Sequence, residues 1–188
     1  MDYRTVLVVC RENVYSSVAA SACLNQSLMD HGFFGQIVAI SRGIQGCRRT
    51  AWPRPDILMD YEPAWWLAEA AAKSVGIELP RHRSFPLTAE DVEHASLILG
   101  MDRAALYDLA LSVNMQYPGQ LAKLRLYAEL ADRECDIVDC LASGDLDEHY
   151  QFFEFIHRLA ERYIDRLVDW ARHPRILHPP RIPRLVLA

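Results

Sequence analysis

At 188 residues the chain fits one domain with a tail and is long enough to bury a full core without disulfide or metal staples. Apolar residues make up 51% and charged residues 24%, the profile of a globular protein. A net charge of -5, with no dense Lys/Arg run in the body of the chain, argues against a nucleic-acid binder. No apolar stretch reaches spanning length, and Asp2 and Arg4 lead straight into a short apolar run rather than a basic leader, so a cytoplasmic protein without membrane attachment is expected.

Residues 5–9 (TVLVV) form a continuous β-branched run, the signature of a strand buried on both faces. A polar turn from Arg11 to Ser17 follows, and residues 18–31 carry apolar positions at helical spacing, with Gly32 placed to end the helix. Residues 36–41 read as a second strand, followed by an Arg-, Gly- and Pro-rich loop to about Asp60. A helix is expected over 63–75, opened by Pro63 and closed by Gly76. Residues 84–87 read as a short third strand. Thr88, with Asp91 three residues on, reads as the cap of a short helix. Residues 96–100 (SLILG) are another buried strand, 102–113 a helix, and 121–127 either a strand or a short helix. Residues 146–171 hold the longest helical pattern, with Phe152, Phe153, Ile156 and Leu159 on its core stripe. Strands alternating with helices imply a four-stranded, parallel, doubly wound α/β sheet flanked by helices, with ligands beyond the carboxyl ends of the strands.

The domain is read as 1–171. Residues 172–188 form a separate segment rich in Pro and Arg, either a floppy tail or an extended arm that packs on a neighbour. Five cysteines (Cys10, Cys23, Cys47, Cys135 and Cys140) match no zinc spacing, and their odd number argues for free thiols. No metal and no cofactor is expected. His149 and His157 read as surface residues of the last helix, and Trp52, Trp65 and Trp66 as core or interface aromatics.

A strand, a cysteine, a short polar loop and a helix together make a nest of backbone N–H groups at a helix N-terminus, suited to an anion. The loop Cys10, Arg11, Glu12, Asn13, Val14, Tyr15, Ser16, Ser17 resembles that of the low-molecular-weight protein tyrosine phosphatases and the related arsenate reductases, written C-x-G-N-x-C-R-S. Cys10, Asn13 and Ser17 match it. Further along, Ser41-Arg42-Gly43 is similar to the family's S-A-G. His82-Arg83-Ser84 with Leu87-Thr88 and Glu90-Asp91 resembles its H-x-A/S…L-T-x-E-D, and residues 99–103 (LGMDR) its M-D segment. Residues 136–140 (DIVDC) fall where it has D-I/V-P-D-P. The resemblance spans about residues 4–171. It implies Cys10 as the nucleophile position, Asn13 as the loop brace, Ser17 as the hydroxyl on the sulfur and Asp139 as the general acid.

The same loop departs from the family's chemistry, in which an arginine clamps two equatorial phosphoryl oxygens. Ser16 stands at that arginine's position, and losing such a clamp costs on the order of 10³–10⁵ in rate, by analogy with arginine fingers. Glu12 replaces a glycine and sets a carboxylate against a dianionic phosphate. Tyr15 replaces a second cysteine, its ring free to fill space near the pocket, and Cys140 replaces a proline after Asp139. Arg11 either swings into the pocket or pairs with Glu12. Three functions fit. The first is a pseudophosphatase acting as a binding or regulatory module, holding an anion or phospho-ligand in the loop, or a protein partner or second copy through the aromatic 52–66 region or the C-terminal segment. The second is an active phosphatase of phosphotyrosine or a small phosphate ester, with Cys10 as nucleophile and Asp139 as acid. The third is thiol or redox chemistry at Cys10, which would need Cys47, Cys135 or Cys140 nearby.

Overall fold

The structure is a computed structural model that describes residues 3–44, 57–81 and 83–173. Cys47, Trp52, His82 and the C-terminal segment from 174 lie outside the described residues. Four parallel strands form one sheet in the order β2-β1-β3-β4: β1 Arg4–Cys10, β2 Ile37–Gly43, β3 Ala95–Gly100 and β4 Leu124–Leu126. The central strand β1 alternates its side chains between two cores. Val6 and Val8 pack with helices α1 (Ser16–Asp30), α2 (Ala64–Ser74), α5 (Leu146–Arg162) and α6 (Ile164–Arg172). Leu7 and Val9 pack on the other face with Leu87, Val92 of α3 (Ala89–His94), Leu106 and Val113. Burial of both faces is why residues 5–9 show no polar alternation.

From β1 the chain runs to β2 on one side, then crosses to β3 on the other. The carboxyl end of β1 is therefore the topological switch point, and Cys10 stands on it. The outer edge of β2 is closed by a side chain. The Asn25 amide donates to Ala39 O and accepts from Ala39 N, both at 2.8 Å, standing in for a neighbouring strand.

Three expected elements take a different form. Residues 84–87 make a single parallel bridge, Gly43 to Pro86, because Pro86 has no N–H to extend a ladder. Residues 102–113 are not one helix. Asp102 caps Ala105 N at 2.6 Å and opens a π-helical turn at Ala104–Asp108, extended backbone at Leu109 ends it, and α4 (Val113–Gln116) starts afresh. The 146–171 pattern divides at Tyr163 into α5 and α6, although hydrogen bonds run through the junction from Tyr163 N to Leu159 O and from Leu167 N to Tyr163 O. Thr88 caps α3 as expected, in a reciprocal box with Asp91. No helix among the described residues is long and apolar enough to cross a membrane.

Candidate active site

The Cys10 sulfur is bracketed by its own loop. Asn13 donates its backbone N–H to Cys10 Sγ at 3.2 Å, and Ser17 Oγ lies 3.0 Å from the same sulfur. Asn13 takes the left-handed conformation (φ 56°), which asparagine tolerates better than most side chains. That turn aims its amide inward, where Nδ2 donates to Ser17 Oγ at 3.0 Å and Oδ1 accepts from Phe85 N at 2.9 Å. Because Ser17 Oγ accepts from Asn13, its own proton is free to point at the sulfur. Asn13 and Ser17 are fully enclosed behind the loop.

A second layer fixes the loop backbone. Ser84 Oγ donates to Glu12 O at 2.6 Å. Gly43, at the end of β2, lies so close that a Cβ there would stand 2.8 Å from Glu12 C and 3.0 Å from Asn13 N. This contact requires glycine in Ser41-Arg42-Gly43. Strand ends β1 and β2, the 84–87 bridge and the start of α1 thus converge on one loop.

In front of the loop is a cavity of about 580 Å³, lined by Cys10, Arg11, Glu12, Val14, Tyr15 and Ser16, by Tyr61 and Asp102, and by residues 136–139, 141 and 142. Among the described residues, four of its lining side chains are carboxylates (Glu12, Asp102, Asp136 and Asp139), against one cation, Arg11. Burial pushes the Asp102 carboxyl up, and the charges of Asp136 and Asp139 add to the rise, against the opposing pull of Ala105 N–H. Arg11 is exposed and forms no ion pair among the described residues. Ser16, 3% exposed, presents a hydroxyl where an oxyanion would need a charged fork.

Asp139 reaches the cavity on a loop tied down at one end. Ile137 N donates to Met101 O at 2.8 Å, and Asp136 Oδ1 accepts from Arg103 N at 2.8 Å. Asp139 itself is exposed, and its Oδ1 accepts from Leu141 N at 3.2 Å.

Tyr15 does not fill the cradle. Its ring turns into the core, 2% exposed, with centroids 5.1 Å from Phe152 and 6.2 Å from Phe153. Its hydroxyl lies 2.6 Å from Nδ1 of His149, a fully buried residue rather than the surface residue expected. His149 Nε2 can only donate to Ser143 O, 3.3 Å away, so Nδ1 is the acceptor and Tyr15 the donor. Cys140 Sγ completes the group 3.7 Å from the Tyr15 hydroxyl, its thiol pushed by burial up to about 11. Burial also pushes the Tyr15 phenol far above its ordinary range. Tyr15 and Cys140, two departures from the family loop pattern, thus touch each other and bind the cysteine loop to the loop that carries Asp139.

Sequence reasoning missed His149, Tyr61 and the full set of cavity carboxylates. His149 carried a readable signal, since it falls three, four and seven residues before Phe152, Phe153 and Ile156 on one helical face. Tyr61 carried none.

A family model described as low molecular weight phosphotyrosine protein phosphatase matches residues 5–171. A YwlE mutant from Bacillus subtilis superposes with a TM-score of 0.66 at 22% identity, covering 88% of this chain and 99% of that one. A low molecular weight protein tyrosine phosphatase from T. tengcongensis gives 0.64 at 24% identity, covering 87% and 99%. Wzb from Vibrio vulnificus, in complex with benzylphosphonate, gives 0.64 at 21% identity over the same shares. Among curated proteins none matches the chain in sequence.

Proposed function

The chain belongs to the low molecular weight phosphotyrosine protein phosphatase family, and from that premise we propose that it is a pseudophosphatase, a binding or regulatory module that hydrolyses phosphate esters little or not at all. The observation that carries this reading is the cavity in front of Cys10. Ser16 stands where the family places its clamping arginine, and among the described lining residues four carboxylates accompany a single arginine. Among the described lining residues a phosphoryl dianion entering there would meet more carboxylates than cations, and the loop offers it a hydroxyl at Ser16 in place of a bidentate fork. The bracing of Cys10 by Asn13 and Ser17 is present, so the loop keeps its shape without the arginine's charge. In this reading Cys10 and Asp139 hold the positions of a nucleophile and an acid without performing the transfer, and the module acts through a ligand or protein partner at this mouth or at the exposed Trp66 of α2.

The retained frame also supports a second reading, a slow cysteine-dependent phosphatase in which exposed Arg11 swings over the cavity. Redox chemistry has less support. The four described cysteines are free, and Cys140, the one packed against the loop, is buried with its thiol pushed up to about 11.

Turnover of an aryl phosphate by the wild type, Cys10→Ser and Ser16→Arg separates these readings. Negligible wild-type turnover, with a Cys10-dependent rise in Ser16→Arg, supports the pseudophosphatase. Robust wild-type hydrolysis abolished by Cys10→Ser refutes it.

A further inference from the structure

At the far end of α5 the charge is reversed. Arg158 and Arg162 sit one turn apart on the helix, and Arg133 faces them from the turn that follows Ala131. With Phe155 and Tyr163 they line a cavity of about 290 Å³ whose lining, among the described residues, includes no carboxylate. Two of the guanidinium groups are held over rings. Arg133 Cζ lies 6.0 Å from the Phe155 centroid, and Arg162 Cζ lies 5.8 Å from that of Tyr163. Stacking fixes the plane of a guanidinium and leaves its N–H edge available. Arg158 pairs with Glu154 at 3.2 Å, but both side chains are more than half exposed and such a pair is weak.

Arg166, the next arginine along the same stripe, shows what a structural arginine looks like here. It binds Asp132 at 2.9 Å and the carbonyl of Leu130 at 2.7 Å. Among the described residues the three arginines around the cavity have no equivalent carboxylate within its lining. Like charges one turn apart on a helix repel, so this arrangement favours an anion between them. The site is separate from the cysteine loop, because Arg158 lies nine residues beyond His149 on α5, about 14 Å along its axis.

We propose that this cavity is a second anion site, one that binds a phosphoryl group on a small stem. The guanidinium edges take the phosphoryl oxygens, and the rings of Phe155 and Tyr163 pack on the stem. Planar forks pair with two phosphoryl oxygens at once, which a halide does not offer, and the second negative charge of a phosphate monoester suits three guanidinium groups better than the single charge of a carboxylate. The stem is either a free small ester or a phosphorylated protein side chain, and the inference holds whether or not Cys10 is catalytically active.

The test titrates the full chain with phenyl phosphate and with a short phosphotyrosine peptide, each beside its unphosphorylated counterpart, while following the arginine Nε–Hε resonances by NMR. Saturable binding of a phosphorylated probe is expected. It should weaken about tenfold or more in the Arg158→Gln/Arg162→Gln variant and in Arg133→Gln, weaken with added salt, and persist in Cys10→Ser. Tighter binding of the ester identifies a free metabolite as the source, and tighter binding of the peptide identifies a protein. The proposal is overturned if neither phosphorylated probe saturates, or if binding ignores the arginine variants.

Discussion

Replacing Tyr15 by Phe isolates the contact that joins the cysteine loop to α5. The substitution keeps the ring and its packing on Phe152 and Phe153 and removes only the hydroxyl. Its partner, His149 Nδ1, is left without a donor in a fully buried side chain whose other nitrogen is already committed to Ser143 O. Stranding one buried polar atom costs about 1–3 kcal/mol, which in a domain of this size lowers the melting temperature by roughly 2–12 °C. Adding His149→Phe removes the stranded acceptor and leaves Ser143 O, on a half-buried loop, to water. The double variant should therefore lose clearly less than the sum of the single losses, because apolar replacement of both partners is nearly neutral where either alone is not. Urea unfolding of the four proteins of the cycle measures this. A Tyr15→Phe loss below about 0.3 kcal/mol, or strictly additive single losses, would refute the buried Tyr15–His149 hydrogen bond.

Gly43→Ala should destabilise the protein by about 1–3 kcal/mol, because the new methyl would overlap the Glu12 and Asn13 backbone. The amide signals of residues 11–17 should shift most, and an unperturbed loop spectrum would contradict the close approach. Asp102 gives a pH signature. Burial, reinforced by Asp136 and Asp139, raises its folded pKa above the unfolded value of about 3.9, so its ionisation opposes folding as pH rises through that window. Asp102→Asn keeps an acceptor for Ala105 N. It should be more stable than wild type at pH 7 and no more stable near pH 3, whereas an equal gain at both values would contradict a charge effect.

The parallel sheet was legible because both-face burial of β1 and β3 leaves an uninterrupted apolar run that no other element shares. Cys10, Asn13 and Ser17 were legible as a set because their geometry is local, a single turn between a strand and a helix. The Tyr15–His149–Cys140 contact was not, since it joins residues more than a hundred positions apart and depends on how α5 packs against the start of α1. Tyr15 read as a side chain able to fill the pocket because a loop sequence does not show which way a ring turns. The set of carboxylates among the cavity's described lining residues was equally hidden. Glu12 announced itself against the family pattern, but Asp102 and Asp136 join it only once the ends of β1 and β3 and the Asp139 loop are brought together.

The most direct test of a cradle without transfer is a single-turnover burst. Wild-type protein at tens of micromolar is mixed with excess aryl phosphate, and phenolate release is followed over the first turnover, when attack by Cys10 would free one phenolate per chain before any hydrolysis. No burst above the rate of the Cys10→Ser variant is predicted. A burst approaching one equivalent, and absent from Cys10→Ser, would show that Cys10 still takes a phosphoryl group and would overturn the pseudophosphatase reading.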